Sequence, residues 1–151
     1  MARCSPFVAL RQFVRSLVEG QGVNVEELPV ILVIEDETSI QDIAEEALKE
    51  GGFATDILSS GEEALTLFKS NGQKYRALVT DVGLKGRLNG WEVASAIREA
   101  DPEFPVVYMS GAHADEWASK GVPNSIMLAK PFAPAQLVTA VSQLLNSALP
   151  K

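Results

Sequence analysis

The chain has 151 residues, enough for one ordinary domain with some length to spare. Its 46% hydrophobic and 22% charged residues are normal for a soluble protein with a real core, and its net charge of −7 argues against direct nucleic-acid binding. The single cysteine, Cys4, excludes an internal disulfide and suits a reducing cytosol.

Residues 5–19 read as an amphipathic helix, capped by Ser5, opened by Pro6 and ended by Gly20. Phe7, Leu10, Val14 and Leu17 recur along it at helical spacing. A glycine- and glutamate-containing linker leads to Pro29, so residues 1–28 form a helix on a tether and residues 29–151 the main domain. The tether helix packs on the body, is a leftover linker from a longer parent, or serves dimerisation or docking. No apolar run reaches the length of a membrane span, and no continuous apolar segment marks a signal peptide, so a cytoplasmic protein without membrane contact is expected.

From Pro29 onward strands and helices alternate. Val30–Ile34 is a continuous apolar run, the mark of a buried parallel strand. A helix over about 38–50 follows, with Ile40, Ile43, Ala44, Ala47 and Leu48 on one face and Gly51-Gly52 as its stop. Phe53–Leu58 is the second strand, and Ser60-Gly61-Glu62-Glu63 is a capping box opening the second helix. The central strand runs to Asp81, and a polar loop from Gly83 to Gly90 precedes a helix over Trp91–Ala100. Residues 106–109 form the fourth strand, 112–121 a short, weak helix, 125–129 the fifth strand, and Pro134–Ala148 the last helix. Five such repeats predict a doubly wound α/β fold, with ligands at the carboxyl ends of its parallel strands.

Those ends carry the chemistry. The first strand runs into Glu35 and Asp36, the third into Asp81, the fourth into Ser110 and the fifth into Lys130. Carboxylates brought this close repel one another, and a hard, oxygen-preferring cation relieves them; Mg2+ fits best. Lys130 adds a point positive charge and Ser110 a hydroxyl donor. A metal, a lysine, a hydroxyl and one available carboxylate make a site for a phosphoryl group, with Asp81 as the nucleophile that forms an acyl phosphate. Each signal alone has a plain alternative: an acid pair that caps the next helix, or Lys-Pro and Ser-Gly as solvated turns. Their joint placement is the stronger signal.

Residues 30–148 resemble the receiver domain of bacterial two-component response regulators. The pieces that carry the resemblance are VILVIEDE, ALVTD, NGWEV, VVYMSGA and LAKPF. It implies a flavodoxin-like (βα)5 sheet, here with the extra N-terminal amphipathic helix. It also implies Mg2+ held by Glu35, Asp36, Asp81 and the backbone carbonyl of Gly83. Asp81 would be the phospho-acceptor, with Ser110 and Lys130 on the phosphoryl group. The implied donor is a sensor histidine kinase or a histidine phosphotransfer protein, and the implied output an unidentified downstream protein. With only a short helix attached, no DNA-binding domain is expected in the chain. Homodimerisation stays open.

Some positions depart from the family. Leu84 and Lys85 replace the common Met-Pro, and the loop to Gly90 is one residue longer. Met127 stands where an aromatic usually relays the switch, so Met127 or Tyr108 is expected to take that part. Gly83 and Ala112, which can orient water in relatives, have no side chain able to hold one, so dephosphorylation is expected to be unassisted. His113 reads as an exposed loop histidine, with a place near the phosphoryl site, or as a gate to it, as the alternative, and Trp117 as partner surface or core cover.

Two rival functions remain. One is an interaction module on a receiver scaffold that no longer uses phosphate. The other is a Mg2+-dependent phosphatase with an aspartyl nucleophile, disfavoured because position 83 is not an Asp that could serve as general acid. The expected role is therefore signalling, with no enzyme activity beyond the protein's own phosphorylation and dephosphorylation.

Overall fold

Five parallel strands alternate with five α-helices in the computed structural model, which describes residues 28–147. In chain order these are β1 (Val30–Ile34), α1 (Thr38–Glu50), β2 (Ala54–Leu58), α2 (Gly61–Asn71) and β3 (Tyr75–Asp81). There follow α3 (Gly90–Ala100), β4 (Val106–Ser110), α4 (Trp117–Lys120), β5 (Ile126–Ala129) and α5 (Pro134–Ser147). The helix expected over 5–19, and Ala148 at the end of the last helix, lie outside the described residues. No described helix is long and apolar enough to cross a membrane.

The strand order is β2-β1-β3-β4-β5, every neighbouring pair parallel. The chain moves outward from β1 to β2, then returns past β1 to β3. That reversal leaves a crevice between the carboxyl ends of β1 and β3, where no crossover covers the sheet. Strand alternation divides the core in two. Leu32, Ile34, Leu78, Val106 and Tyr108 face α2 and α3, meeting Ala64, Trp91, Val93, Ala94 and Ile97. Ile31, Val33, Ala77, Val79, Val107 and Met109 face α1 and α5, meeting Ala44, Ala47, Leu48, Leu137 and Val141. Ile31 through Ile34 are fully buried, each contributing about 1.5–3 kcal/mol. That burial on both faces is why β1 reads as an unbroken apolar run.

β2 and β5 each begin one residue later than expected, at Ala54 and Ile126, and two further boundaries differ for physical reasons. Asn89 and Glu92 close a reciprocal capping box, so α3 begins at Gly90 rather than Trp91. β4 extends to Ser110 because the Lys130 N–H donates to the Ser110 carbonyl (2.9 Å), tying the end of β5 to it. Of the capping box expected at Ser60–Glu63 one half is observed, the Ser60 hydroxyl accepting the Glu63 N–H at 3.2 Å. Short α4 is entered through a 3₁₀ turn at Ala114–Glu116. Arg98 fastens the far end of α3, donating to the carbonyls of Phe104 (2.6 Å) and Pro123 (2.7 Å).

Candidate functional site

β1 delivers Glu35 and Asp36 to the carboxyl rim, and β3, its direct neighbour, delivers Asp81. One carboxylate oxygen from each of the three lies within 4.8 Å of the others. The surroundings differ. Glu35 is fully buried, Asp81 is 7% exposed and Asp36 is half-buried. The Lys130 ammonium, brought by β5 from the other side of β3, donates to Asp81 Oδ1 (3.0 Å) and Glu35 Oε1 (3.1 Å). One ammonium therefore serves two of three carboxylates.

The electrostatics follow from that imbalance. Burial, with the nearby Asp81 charge adding to it, raises the Glu35 carboxyl above its ordinary range; the Glu37 N–H and Lys130 offset this only in part. For Lys130, burial pulls the ammonium down, but the bonds and charges of Asp81 and Glu35 outweigh it and hold the pKa above ordinary. The site keeps its cation charged and lacks positive charge nonetheless.

Glu35 serves two neighbours at once. Its Oε2 accepts the Glu37 N–H (3.0 Å) at the start of α1, while Oε1 takes Lys130. The Glu37 side chain makes no cap. Asp36 Oδ2 accepts the Lys85 N–H (3.2 Å), so one site carboxylate also steadies the β3–α3 loop. From α2, Glu62 Oε2 holds the same loop through the Arg87 N–H at 2.7 Å. These two loop contacts were not read from the sequence: the partners are backbone N–H groups, which carry no residue signature.

Gly90 fixes how closely α3 approaches this rim. A Cβ there would stand 2.3 Å from the Asp81 carbonyl oxygen, and its N–H donates to the Val82 carbonyl (2.9 Å). Any larger residue would displace the end of β3 that bears Asp81.

Ser110, 2% exposed, ends β4 with its hydroxyl accepting the His113 N–H at 2.7 Å. Gly83 is exposed, two residues beyond Asp81. His113, read from sequence as an exposed loop residue, is half-exposed, and its ring edge lies beside Gly83. Its Nδ1 sits 3.2 Å from Glu116 Oε2. Glu116 is held below the usual carboxylate range, first by Lys120 and then by His113. Trp117 is 38% exposed, with its indole N–H donating to Ser125 Oγ (2.9 Å). Tyr108 is fully buried: its hydroxyl accepts the Val122 N–H (3.0 Å) and its ring packs 4.7 Å from Trp91. Met127 is partly buried against the same cluster.

A cavity of about 460 Å³ between Arg98, Asn124, Ile126 and Gln143 lies at the amino ends of the strands, with none of the converging residues in its walls. The charged rim, where the converging side chains lie, is the better candidate.

The response regulator receiver domain family matches residues 31–142 of the chain, nearly all of the described body. The chain belongs to the response regulator receiver family. A receiver protein from Sinorhizobium medicae is 47% identical, with a TM-score of 0.75 over 80% of this chain and 97% of that one. The receiver domain of NtrX from Brucella abortus is 28% identical, with a TM-score of 0.69 over 78% and 99%. Among curated proteins, the transcriptional regulatory protein PcoR of Escherichia coli is 33% identical over 120 residues, 78% of this chain and 52% of its own length. The chain spans about half the length of the curated relatives it matches. As a receiver it has the flavodoxin-like fold expected of the family and belongs to two-component phosphorelay signalling. Its acidic cluster is a donor set suited to a cation: three hard oxygen ligands, one of them on a fully buried glutamate, with too little positive charge among them.

Proposed function

We propose that this receiver accepts a phosphoryl group on Asp81 from a sensor histidine kinase or a histidine phosphotransfer protein, in the cytoplasm. The observation that carries the reading is the convergence of Glu35, Asp36 and Asp81 on one rim with Lys130 bonded to Asp81. Glu35, Asp36, Asp81 and the Gly83 carbonyl would hold Mg2+. When bound, the ion neutralises carboxylate and phosphoryl charge together.

The chain's own residues do the rest. Asp81 offers a carboxylate oxygen as nucleophile to phosphorus; the new O–P bond forms as the donor's N–P bond breaks, and the donor imidazole leaves with the electron pair. Lys130, preorganised on Asp81 Oδ1, is placed to follow the charge onto a phosphoryl oxygen, and Ser110 to donate its hydroxyl proton to another. Lys130 would then give up its contact with Asp81, and Ser110 would turn toward the new charge. That local rearrangement is the signal. The Tyr108 hydroxyl is already committed to Val122, so Met127, flexible and partly buried beside it, is the better substitute for the missing aromatic relay. The net charge of −7 favours output through a protein partner rather than through nucleic acid contact.

The test is incubation with Mg2+ and a small acyl-phosphate donor, followed by intact mass measurement. A magnesium-dependent gain of one phosphoryl group, lost in Asp81→Asn, is expected. No gain, together with no binding of beryllofluoride, would leave a phosphate-independent interaction module.

A further inference from the structure

The amphipathic helix read from residues 5–19 is a sequence feature that the phosphoryl site does not use. A helix this short is marginal in water on its own, so its stripe of Phe7, Leu10, Val14 and Leu17 calls for an apolar surface. The described body offers one on the side from which the tether arrives. Pro29 leads into Val30 at the amino end of β1, and the cavity of about 460 Å³ lies on that same amino rim, where Pro105 precedes β4 and Ser125 precedes β5. Its apolar wall is Pro102, Pro105, Ile126 and Leu144, each at least partly exposed. Ile126 opens β5, which stands at one edge of the sheet with a single neighbouring strand. Reach is ample: residues 20–28 extend to about 30 Å, whereas β5 stands three strand spacings, about 14 Å, from β1. The hollow between Leu58 and Leu67 opens at the opposite, carboxyl end of β2, and that between Trp91 and Lys120 is walled mainly by Glu92, Ser95 and Glu99. Charge points the same way. Residues 1–28 hold three basic and three acidic residues, so the whole net charge of −7 falls on residues 29–151. Arg3, Arg11 and Arg15 all lie within residues 1–15, which contain no acid. Beside the cavity, exposed Glu99, Asp101 and Glu103 crowd the carboxyl end of α3, where the helix dipole is already negative. Arg98, the cation in the cavity wall, is committed to the carbonyls of Phe104 and Pro123.

We propose that the helix over residues 5–19 folds back across the amino rim of its own chain and seats its apolar stripe in this groove. Arg11 and Arg15, one turn apart beside the stripe, then face the acidic end of α3. Burial of the stripe holds the helix, and the exposed ion pairs set its direction, since such pairs stabilise little by themselves. The seat is independent of whether Asp81 accepts phosphate. It hides the stripe from other chains and ties residues 1–28 to the start of β5, the strand that delivers Lys130.

The experiment uses the full chain, isotope-labelled for amide NMR, with no phosphoryl donor present. A nitroxide is attached to Gln12→Cys in a Cys4→Ser background, because position 12 falls on the helix side away from the stripe. Loss of amide signal is expected at Glu103, Asn124, Ile126 and Gln143, with none at Gly83 on the opposite rim. The loss should persist when the labelled chain is diluted into a large excess of chain that lacks isotope and nitroxide. Leu10→Asp combined with Leu17→Asp changes no described residue and should restore the signals. Arg11→Glu should restore them in part. A loss that dilution abolishes assigns the groove to the helix of a second copy and overturns the proposal. Signals that stay unchanged, or that vanish at another surface such as that around Ile43, overturn it too. A loss at the groove that survives Leu10→Asp with Leu17→Asp also overturns it, since the tether alone would then bring the nitroxide there.

Discussion

Asp56 and Asp81 each stand on a parallel strand with a lysine ammonium close by, Lys74 at 2.9 Å and Lys130 at 3.0 Å. Around Asp56 the donors suffice. The Tyr75 hydroxyl donates to it at 2.6 Å, and although partial burial works the other way, Tyr75 and Lys74 together hold its carboxyl below the usual range. Around Asp81 they do not: Lys130 is shared with buried Glu35, whose carboxyl is pushed up. The same functional groups make a structural anchor in one proportion and a charge-starved site in the other. A deficit of positive charge is what lets a site bind and respond to a cation.

The largest expected effect comes from deepening that deficit. Lys130→Met keeps much of the stem and removes the only ammonium bonded to Glu35 and Asp81 among the described residues. Without Mg2+ it should cost about 3 kcal/mol, because charges already out of water lose their partner. Lys74→Met, at a side chain that is 42% exposed, should cost at most about 0.5 kcal/mol. Urea midpoints at constant slope would compare the two. Equal losses would erase the distinction between the clusters.

Relieving the deficit should have the next largest effect. Mg2+ at about ten times its dissociation constant should stabilise wild type by about 1.4 kcal/mol. Asp36→Asn keeps an oxygen for the Lys85 N–H but removes a ligand charge, so most of that gain should vanish. Tyr75→Phe, at the matched cluster, should leave the gain intact. Thermal melts with and without Mg2+ would decide. A full gain in Asp36→Asn would place the ion elsewhere.

Much of this contrast was legible in the sequence on one side only. Glu35, Asp36, Asp81, Ser110 and Lys130 could be grouped because each directly follows or closes an apolar run, and parallel topology sends all such ends to one rim. The Asp56–Tyr75 bond has no such rule behind it. It joins β2 and β3 across the intervening β1, and depends on the register pairs Leu32–Asp56 and Val30–Tyr75. The Asn89–Glu92 box could have been read from its spacing, and would have moved the start of α3 to Gly90. The placement of His113 beside Gly83 was not readable, because it depends on the path of an irregular loop.

The smallest expected effect is the pH dependence of the matched cluster. Asp56 has a folded-state pKa below its ordinary 3.8, so the folded state releases its proton more readily than the unfolded chain. Its stabilisation is therefore complete above pH 3.8 and is lost as pH falls through the lower, folded value. Tyr75→Phe removes the hydroxyl that contributes most to that depression. At neutral pH the variant should lose about 1 kcal/mol, less than a buried bond to a charged group because Asp56 is partly exposed. The difference from wild type should shrink once the carboxylate is protonated in both, since a neutral acid binds the phenol less strongly. Urea unfolding of the metal-free pair at stepped pH, from about 7 to about 3, would measure that difference directly. A difference that stayed constant down to the lowest pH would mean that the Tyr75 hydroxyl stabilises the fold independently of the Asp56 charge, and that Asp56 needs no better a match for its charge than Asp81 has.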